Sequence, residues 1–167
     1  FPKPVSLISS IIEQGAGDGD IVIDFFAGSG TTAHAVFAQN ANDGVNRRVI
    51  LVQLPGPLSP RNPEQKTASD FCDTLGKPRT IAELTKERLR RSGKKVKTDN
   101  NMFSGDTGFR VFKLDKSNIR LWNPSPENLT QSLLDHHEHI LDGRTEADIT
   151  YELLLKLGLD LCVPMET

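Results

Sequence analysis

A short apolar run that leads into a glycine-rich turn constrains this chain more than any other feature. Residues 21–26 are rich in β-branched and aromatic side chains, which predicts a strand buried on both faces. Residues 27–30 form a tight loop, residues 31–40 have the composition of a helix, and residues 48–54 predict a second buried strand. This order is a βαβ unit, whose parallel strands belong to an α/β sheet.

The flanking segments predict further elements around this unit. Apolar side chains recur at helical spacing in residues 5–13, and residues 80–91 predict a helix with Thr80 as its cap and Gly93 as its end. Alternation of apolar and charged residues predicts a strand over 109–114. Helices are predicted at about 127–141 and 146–157. The chain is therefore divided into an α/β part, residues 1–114, and a helical extension, residues 115–167.

Length and composition exclude several classes of protein. The chain has 167 residues, of which 37% are hydrophobic and 25% charged, values typical of a soluble globular domain. No apolar run approaches the roughly 18 residues that a membrane span needs. Cys72 and Cys162 stand far apart and outside any Cys-x-x-Cys motif, which argues against a disulfide scaffold and predicts a cytoplasmic location.

The net charge of −2 hides three blocks of different sign. Residues 1–60 carry three basic and five acidic side chains, residues 61–100 carry eleven and six, and residues 101–167 carry six and eleven. This pattern predicts a basic surface near the middle of the chain and an acidic one towards its end.

The glycine-rich loop fits a nucleotide-binding pattern but leaves the ligand open. Residues 28–33 match G-x-G-x-x-[GA], in which glycines bring the backbone close to a ligand and the next helix offers N–H groups to an anion. A nicotinamide cofactor also needs a carboxylate after the second strand, where Gln53 to Gly56 supply none. A Walker loop is excluded because no Gly-Lys-Ser/Thr follows.

The motifs together are more specific than the loop alone. Residues 24–30 fit D-x-F-x-G-x-G and are preceded by Phe-Pro-Lys-Pro at residues 1–4. This pair, with the segments 46–55, 80–91, 106–114 and 151–156, resembles the modification (Mod) subunits of type III restriction–modification systems, which are DNA adenine methyltransferases of the beta arrangement. The resemblance extends over nearly the whole chain. It implies a partial Rossmann-like, S-adenosylmethionine-dependent methyltransferase fold in residues 1–114, with the helical extension after it.

The resemblance implies S-adenosylmethionine as cofactor and assigns a role to each matching position. Lys3 and Pro4 would border the methionine end of the cofactor, and Asp24 would accept a hydrogen bond from its ammonium group. Ala27, Gly28, Ser29 and Gly30 would bring the loop backbone near the methionine and ribose, and the Thr31 and Thr32 hydroxyls would bind the carboxylate. Phe25 and Phe26 would wall the pocket, and Gln53 and Leu54 would flank the ribose and adenine. Gly56 stands where the family usually has an acidic residue, so this chain lacks the expected ribose ligand.

The catalytic motif of the resembled family, Asp-Pro-Pro-Tyr, does not occur in these residues, so no catalytic residue is assigned. Asn123-Pro124-Ser125-Pro126 lacks its aromatic ring and central proline and is interpreted as a loop. The chain is therefore interpreted as the cofactor-binding C-terminal portion of a methyltransferase, inactive by itself. No metal site is expected, because His136 and His139 have no third ligand at a recognisable spacing.

The family also implies partners, and two other interpretations stay open. The full-length enzyme would act on DNA with the restriction (Res) subunit, and we expect a homodimer. The basic stretch 86–97 is a candidate for phosphate contacts. The alternatives are a nicotinamide-dependent oxidoreductase domain and a non-catalytic fragment whose acidic C-terminal helices dock a second protein.

Overall fold

The computed structural model describes residues 2–122, 126–137 and 139–163. The chain divides into two compact units, Phe1–Arg110 and Val111–Thr167. The functional division after Leu114 stays a prediction. Within the described ranges, no helix combines the length and the apolar character that crossing a membrane requires.

The first unit alternates helices with two short strands. Its elements, in chain order, are α1 (Val5–Gly15), β1 (Ile21–Asp24), α2 (Thr31–Asp43), β2 (Arg48–Leu51), α3 (Pro63–Thr74) and α4 (Ile81–Asp99). The strands pair in parallel, with Ile21 opposite Arg48 and Asp24 opposite Leu51. The predicted βαβ unit is therefore confirmed, and the α/β class with it. Both strands are shorter than predicted: β1 ends at Asp24, where a turn begins, and β2 ends at Leu51.

The two faces of this sheet differ in what covers them. Val22, Val49 and Leu51 pack against the buried side chains of α2 and its neighbours. On the opposite face, Ile21 and Ile50 are 46% and 48% exposed. The prediction of strands buried on both faces is wrong for the described residues, since the helices of this unit cover one face only. A two-stranded parallel sheet represents the Rossmann-like fold only in part.

Helix α2 is the centre of the hydrophobic core. Ala33 and Phe37 pack with Leu89 and Val96 of α4. Ala35 and Val36, on another side of the helix, pack with residues of α1 such as Ile12. Because α2 begins directly after the glycine-rich loop, both packing clusters fix the position of that loop.

Helix α3 was not predicted, and α4 is longer than predicted. The side chain of Asn62 accepts a hydrogen bond from the Glu64 N–H, and Pro63 occupies the first helical position of α3. Gly93 does not end α4, which continues to Asp99. A Cβ atom at Gly93 would lie 3.1 Å from Cβ of Thr107. This glycine is therefore explained by close packing inside a helix.

The second unit contains a 3-10 turn (Pro126–Asn128), α5 (Leu129–His137) and α6 (Glu146–Lys156). The helix predicted at 127–141 is thus shorter than expected, and the strand predicted over 109–114 is wrong: these residues form no regular ladder.

Polar contacts organise this unit. The Glu152 carboxylate accepts hydrogen bonds from Lys156, the Ser117 hydroxyl and the Asn118 N–H, which together lower its pKa to about 2.

Candidate functional site

The glycine-rich loop, residues 27–30, joins the end of β1 to the start of α2 and depends on left-handed backbone. Gly28 has φ of 53° and Gly30 has φ of 79°. At Gly30 a Cβ atom would also lie 2.9 Å from Cδ1 of Leu89 and 3.0 Å from Cγ2 of Thr85. Glycine at position 30 therefore satisfies a conformational demand and a packing demand at once.

Asp24, the last residue of β1, bridges the two ends of the turn that follows it. Its Oδ1 accepts a hydrogen bond from the Phe26 N–H at 3.0 Å, and its Oδ2 accepts one from the Thr32 hydroxyl at 2.6 Å. Each carboxylate oxygen keeps a further lone pair. The carboxylate is half-buried, so it can accept another donor from the solvent side.

Gln53 connects the loop to the segment after β2. Its Oε1 accepts a hydrogen bond from the Gly28 N–H at 2.7 Å, and its Nε2 donates to the Leu54 carbonyl at 2.8 Å. The backbone N–H of Ala27 donates to the Val52 carbonyl at 3.2 Å. These bonds continue the parallel pairing of β1 and β2 beyond the strands and place residues 52–54 beside the loop.

Two residues of α4 also contact the loop, and no local sequence pattern indicates these contacts. Nη1 of Arg88 donates hydrogen bonds to the Ser29 and Thr31 hydroxyls, both at 2.8 Å. The Thr85 hydroxyl donates to the Gly28 carbonyl at 2.5 Å. Arg88 was predicted only as one of several basic residues that could contact phosphate.

The sequence-predicted residues fall into a linked group and an outer group. The linked group is joined by the hydrogen bonds just described and by one from the Gly30 N–H to the Ala27 carbonyl at 2.7 Å: Asp24, Ala27, Gly28, Ser29, Gly30, Thr31, Thr32 and Gln53. Phe25, Phe26 and Leu54 are 67%, 88% and 76% exposed, so these apolar side chains are available to a ligand instead of being core. Lys3 and Pro4 are exposed beside the start of α1, and no described hydrogen bond joins them to the loop.

Burial and positive charge shape the titration of the groups near the start of α2. His34 is half-buried, and its Nδ1 has no hydrogen-bond partner among the described residues. Burial first, and then the charges of Arg88 and Lys95, lower the pKa of His34 from its ordinary value. Burial also lowers the pKa of Arg88. Because a guanidinium keeps its charge at neutral pH, Arg88 still places a positive charge beside the loop, which favours an anionic ligand group.

Two other features lie away from the loop. An open cavity of about 310 Å³ is lined by residues at the far end of α2 and after α4, among them Asn40, Val45 and Met102. Among the described residues no three His, Cys, Asp or Glu side chains are grouped as metal ligands. The side chains of His136, His137 and Glu138, and residues 123–125 of the predicted loop, lie outside the described part of the chain.

Comparisons with known proteins identify the family of this chain. A DNA methylase family model matches residues 1–53, which contain α1, the βαβ unit and Gln53. The Mod subunit of the type III restriction–modification enzyme StyLTI from Salmonella typhimurium is 37% identical over 112 residues, 67% of this chain. The chain belongs to the family of type III modification subunits.

Two further relatives extend the comparison. The EcoP15I Mod subunit from Escherichia coli is 35% identical over 128 residues, 72% of this chain. The type II methyltransferase M.KpnI from Klebsiella pneumoniae is 39% identical over 88 residues, 53% of this chain. The aligned regions amount to 16% of the StyLTI subunit, 17% of the EcoP15I subunit and 19% of M.KpnI, so this Mod-family chain spans about a sixth to a fifth of its relatives.

Proposed function

We propose that this chain provides the S-adenosylmethionine site of a DNA adenine methyltransferase. The observation that carries the proposal is the glycine-rich loop at the start of α2, with Asp24 at the end of β1 and Gln53 beside it. A loop whose glycines at positions 28 and 30 carry no Cβ, a carboxylate and exposed aromatic rings fit a cofactor that has an ammonium group, a carboxylate and an adenine ring. The Rossmann-like methyltransferase fold, present here in part, belongs to the same proposal.

Each group of the site has a distinct part in holding the cofactor. Asp24 accepts from the ammonium group with the oxygen lone pairs that its bonds to Phe26 and Thr32 leave free. Ser29, Thr31 and Thr32 lie at the positive end of α2, where an anion gains roughly 0.3–1 kcal/mol from the helix dipole. Phe25, Phe26 and Leu54 supply apolar surface, and Lys3 and Pro4 border the methionine end.

In the whole enzyme the reaction is methyl transfer to the exocyclic amino group of adenine in DNA. The bound cofactor supplies an electrophilic methyl group on a sulfonium centre. These residues hold the donor, while the target base must be flipped out of the duplex and held by groups that the chain does not contain. We therefore expect the 167 residues alone to transfer no methyl group to DNA.

The partners and location follow from the same proposal. The relatives are named as subunits of restriction–modification enzymes, so we propose DNA as substrate, a Res subunit as partner and a cytoplasmic location. A homodimer, and docking of a second protein on the acidic helical extension, stay predictions. The nicotinamide alternative is not favoured, because the relatives are type III Mod subunits and a type II methyltransferase, and residues 52–56 directly after β2 contain no carboxylate.

Titration calorimetry with S-adenosylmethionine and NAD in parallel tests this function. We expect binding of the former only. Asp24→Asn keeps an acceptor for the Phe26 N–H but removes the charge, so the Kd should rise about tenfold or more, in line with charge-assisted hydrogen bonds. Asp142→Asn, an exposed change in the helical extension, is the control and should leave Kd within twofold. Binding of NAD with no binding of S-adenosylmethionine would contradict the proposal.

A further inference from the structure

Helix α4 contacts the glycine-rich loop directly, although some sixty residues of sequence separate the two. Both backbone groups of Gly28 have partners: the N–H donates to Gln53, and the carbonyl accepts from the Thr85 hydroxyl at 2.5 Å. Arg88 reaches Ser29 and Thr31 on either side of Gly30. The loop therefore has a defined shape without any ligand.

Apolar packing brings α4 close enough to make these bonds. Thr85 and Leu89 are buried, and the two lie so near Gly30 that a Cβ there would clash with both. Leu89 also belongs to the cluster that contains Ala33 and Phe37 of α2. Since one cluster anchors both helices, the distance between Arg88 and the loop is fixed by the core.

Arg88 differs from its basic neighbours on α4 in its partners. Lys86, Arg91 and Lys95 pair with carboxylates three or four residues away on the same helix. Among the described residues, no carboxylate lies within ion-pair distance of Arg88, whose hydrogen bonds go to two hydroxyls of another element. Its half-buried guanidinium thus acts on the loop and adds nothing to pairing within α4.

These bonds also decide whether the Ser29 and Thr31 hydroxyls donate or accept hydrogen bonds towards a ligand. Ser29 and Thr31 each use an oxygen lone pair to accept from Arg88, so each keeps its proton to donate. Accepting from a cation strengthens such a donor, because neighbouring hydrogen bonds polarise one another. A ligand that presents acceptor oxygens to the loop, such as a carboxylate, meets donors that are already oriented.

We propose that Arg88 and Thr85 are positioning residues of the cofactor site, which orient the Ser29 and Thr31 hydroxyls and the Gly28 carbonyl before the cofactor binds. The proposal rests on the proposed function for the nature of the ligand, while the pre-set shape of the loop is independent of it. Two measurements separate these parts: amide hydrogen exchange of residues 27–32 in the free chain, and the Kd of S-adenosylmethionine.

Arg88→Met keeps the length and apolar stem of the side chain but removes its donors. We expect faster exchange across residues 27–32 and a Kd raised about tenfold, because charged-group hydrogen bonds are among the stronger ones. Arg91→Met, on the exposed side of the same helix, is the matched control and should change both readouts less than twofold. Equal effects of Arg88→Met and Arg91→Met, or no change in loop exchange, would overturn the proposal.

Two conservative variants guard against a simple loss of folding. Thr85→Val preserves the shape of the side chain and removes only the hydroxyl, so Kd should rise about threefold, the scale of one neutral hydrogen bond. Arg88→Lys keeps charge and donors and should recover part of the affinity lost in Arg88→Met. A purely structural role predicts instead a lower melting temperature with unchanged Kd in Thr85→Val, Arg88→Lys and Arg88→Met. That result would refute the positioning role.

The exchange measurement keeps the two proposals distinguishable. If the unmodified chain binds no S-adenosylmethionine but Arg88→Met still accelerates exchange of residues 27–32, the proposed function fails and the positioning role of α4 stands. If the chain binds the cofactor and Arg88→Met alters neither exchange nor Kd, the function stands and the positioning role is wrong.

Discussion

The two ends of helix α2 resemble each other in backbone but differ in what their polar groups contact. Each end has a glycine in the left-handed region, Gly30 with φ of 79° and Gly44 with φ of 72°. At the first end, hydroxyls and backbone accept hydrogen bonds from α4, and the aromatic side chains of the preceding Phe25 and Phe26 are exposed. At the second end, the polar side chains bind one another and the neighbouring backbone.

The second end is a closed network. Nδ2 of the buried Asn40 donates to the Arg47 carbonyl at 2.9 Å, and the Arg47 N–H donates to Oδ1 of Asn40. The Arg47 side chain, 4% exposed, reaches Asp43 at 2.9 Å and the Ala16 carbonyl at 2.8 Å. With its donors used inside the protein, this end has a structural role, even though the cavity of about 310 Å³ lies beside it.

The largest expected effect tests whether the second end of α2 stabilises the fold while the first end binds the cofactor. Arg47→Met removes the ion pair with Asp43, which keeps its bonds from Gln39 and the Val45 N–H, and leaves Asn40 with fewer bonds. Because the Arg47 side chain is buried and all these contacts are lost together, the variant should lose about 3 kcal/mol of unfolding free energy. Chemical denaturation measures this loss. Affinity for S-adenosylmethionine should stay unchanged at temperatures where the variant is folded. The control, Arg61→Met on an exposed loop, should leave stability within about 0.5 kcal/mol. A variant that keeps its stability but loses affinity would reverse the roles of the two ends.

The glycines allow the most symmetrical test. Gly44→Ala meets no atom within 4 Å, so it should cost about 1 kcal/mol for the left-handed conformation alone. Gly30→Ala adds a clash with Leu89 and Thr85, so it should cost about 2–3 kcal/mol and also weaken cofactor binding. Denaturation and calorimetry of both variants check this. Equal losses of stability in both variants, with no change in the Kd of S-adenosylmethionine, would show that Gly30 and Gly44 have the same structural role.

The smallest expected effect concerns His34 near the first end. Because its pKa is lowered in the folded chain, the unfolded chain binds a proton first as pH falls through about 6.5. Stability should therefore decrease below that pH, with a slope of at most about 1.4 kcal/mol per pH unit from this one group. Denaturation at several pH values between 7.5 and 5.5 should show the slope reduced in His34→Gln. It should persist in the control, His139→Gln. An unchanged slope in His34→Gln would show that His34 protonates freely when folded.

The sequence predicted the first end of α2 far better than its surroundings. β-Branched residues at 21–23 and the glycines at 28 and 30 determine a βαβ turn locally, so that unit could be read directly. The Arg88 contact depends on the tertiary position of α4 and leaves no local signal. For α3, by contrast, the Asn62-Pro63 pair is a local helix-start signal in the sequence.

Two wrong predictions have a common physical cause. Alternation over 109–114 fits a strand, but the described residues offer no neighbouring strand with which it could pair, and an unpaired strand gains no ladder bonds. Likewise, the apolar content of β1 and β2 fits burial on both faces, while the described helices of the first unit cover only one. In both cases the local pattern does not show whether another element pairs with the strand or packs on its second face.

The central claim is that the cofactor binds at the glycine-rich loop held by α4. Amide chemical shifts followed by NMR during titration with S-adenosylmethionine test it most directly. The account predicts the largest shifts at Gly28, Gly30, Thr32 and Gln53, with little change around Asn40 and Met102. Shifts centred on the cavity at the far end of α2, with the loop unaffected, would contradict it.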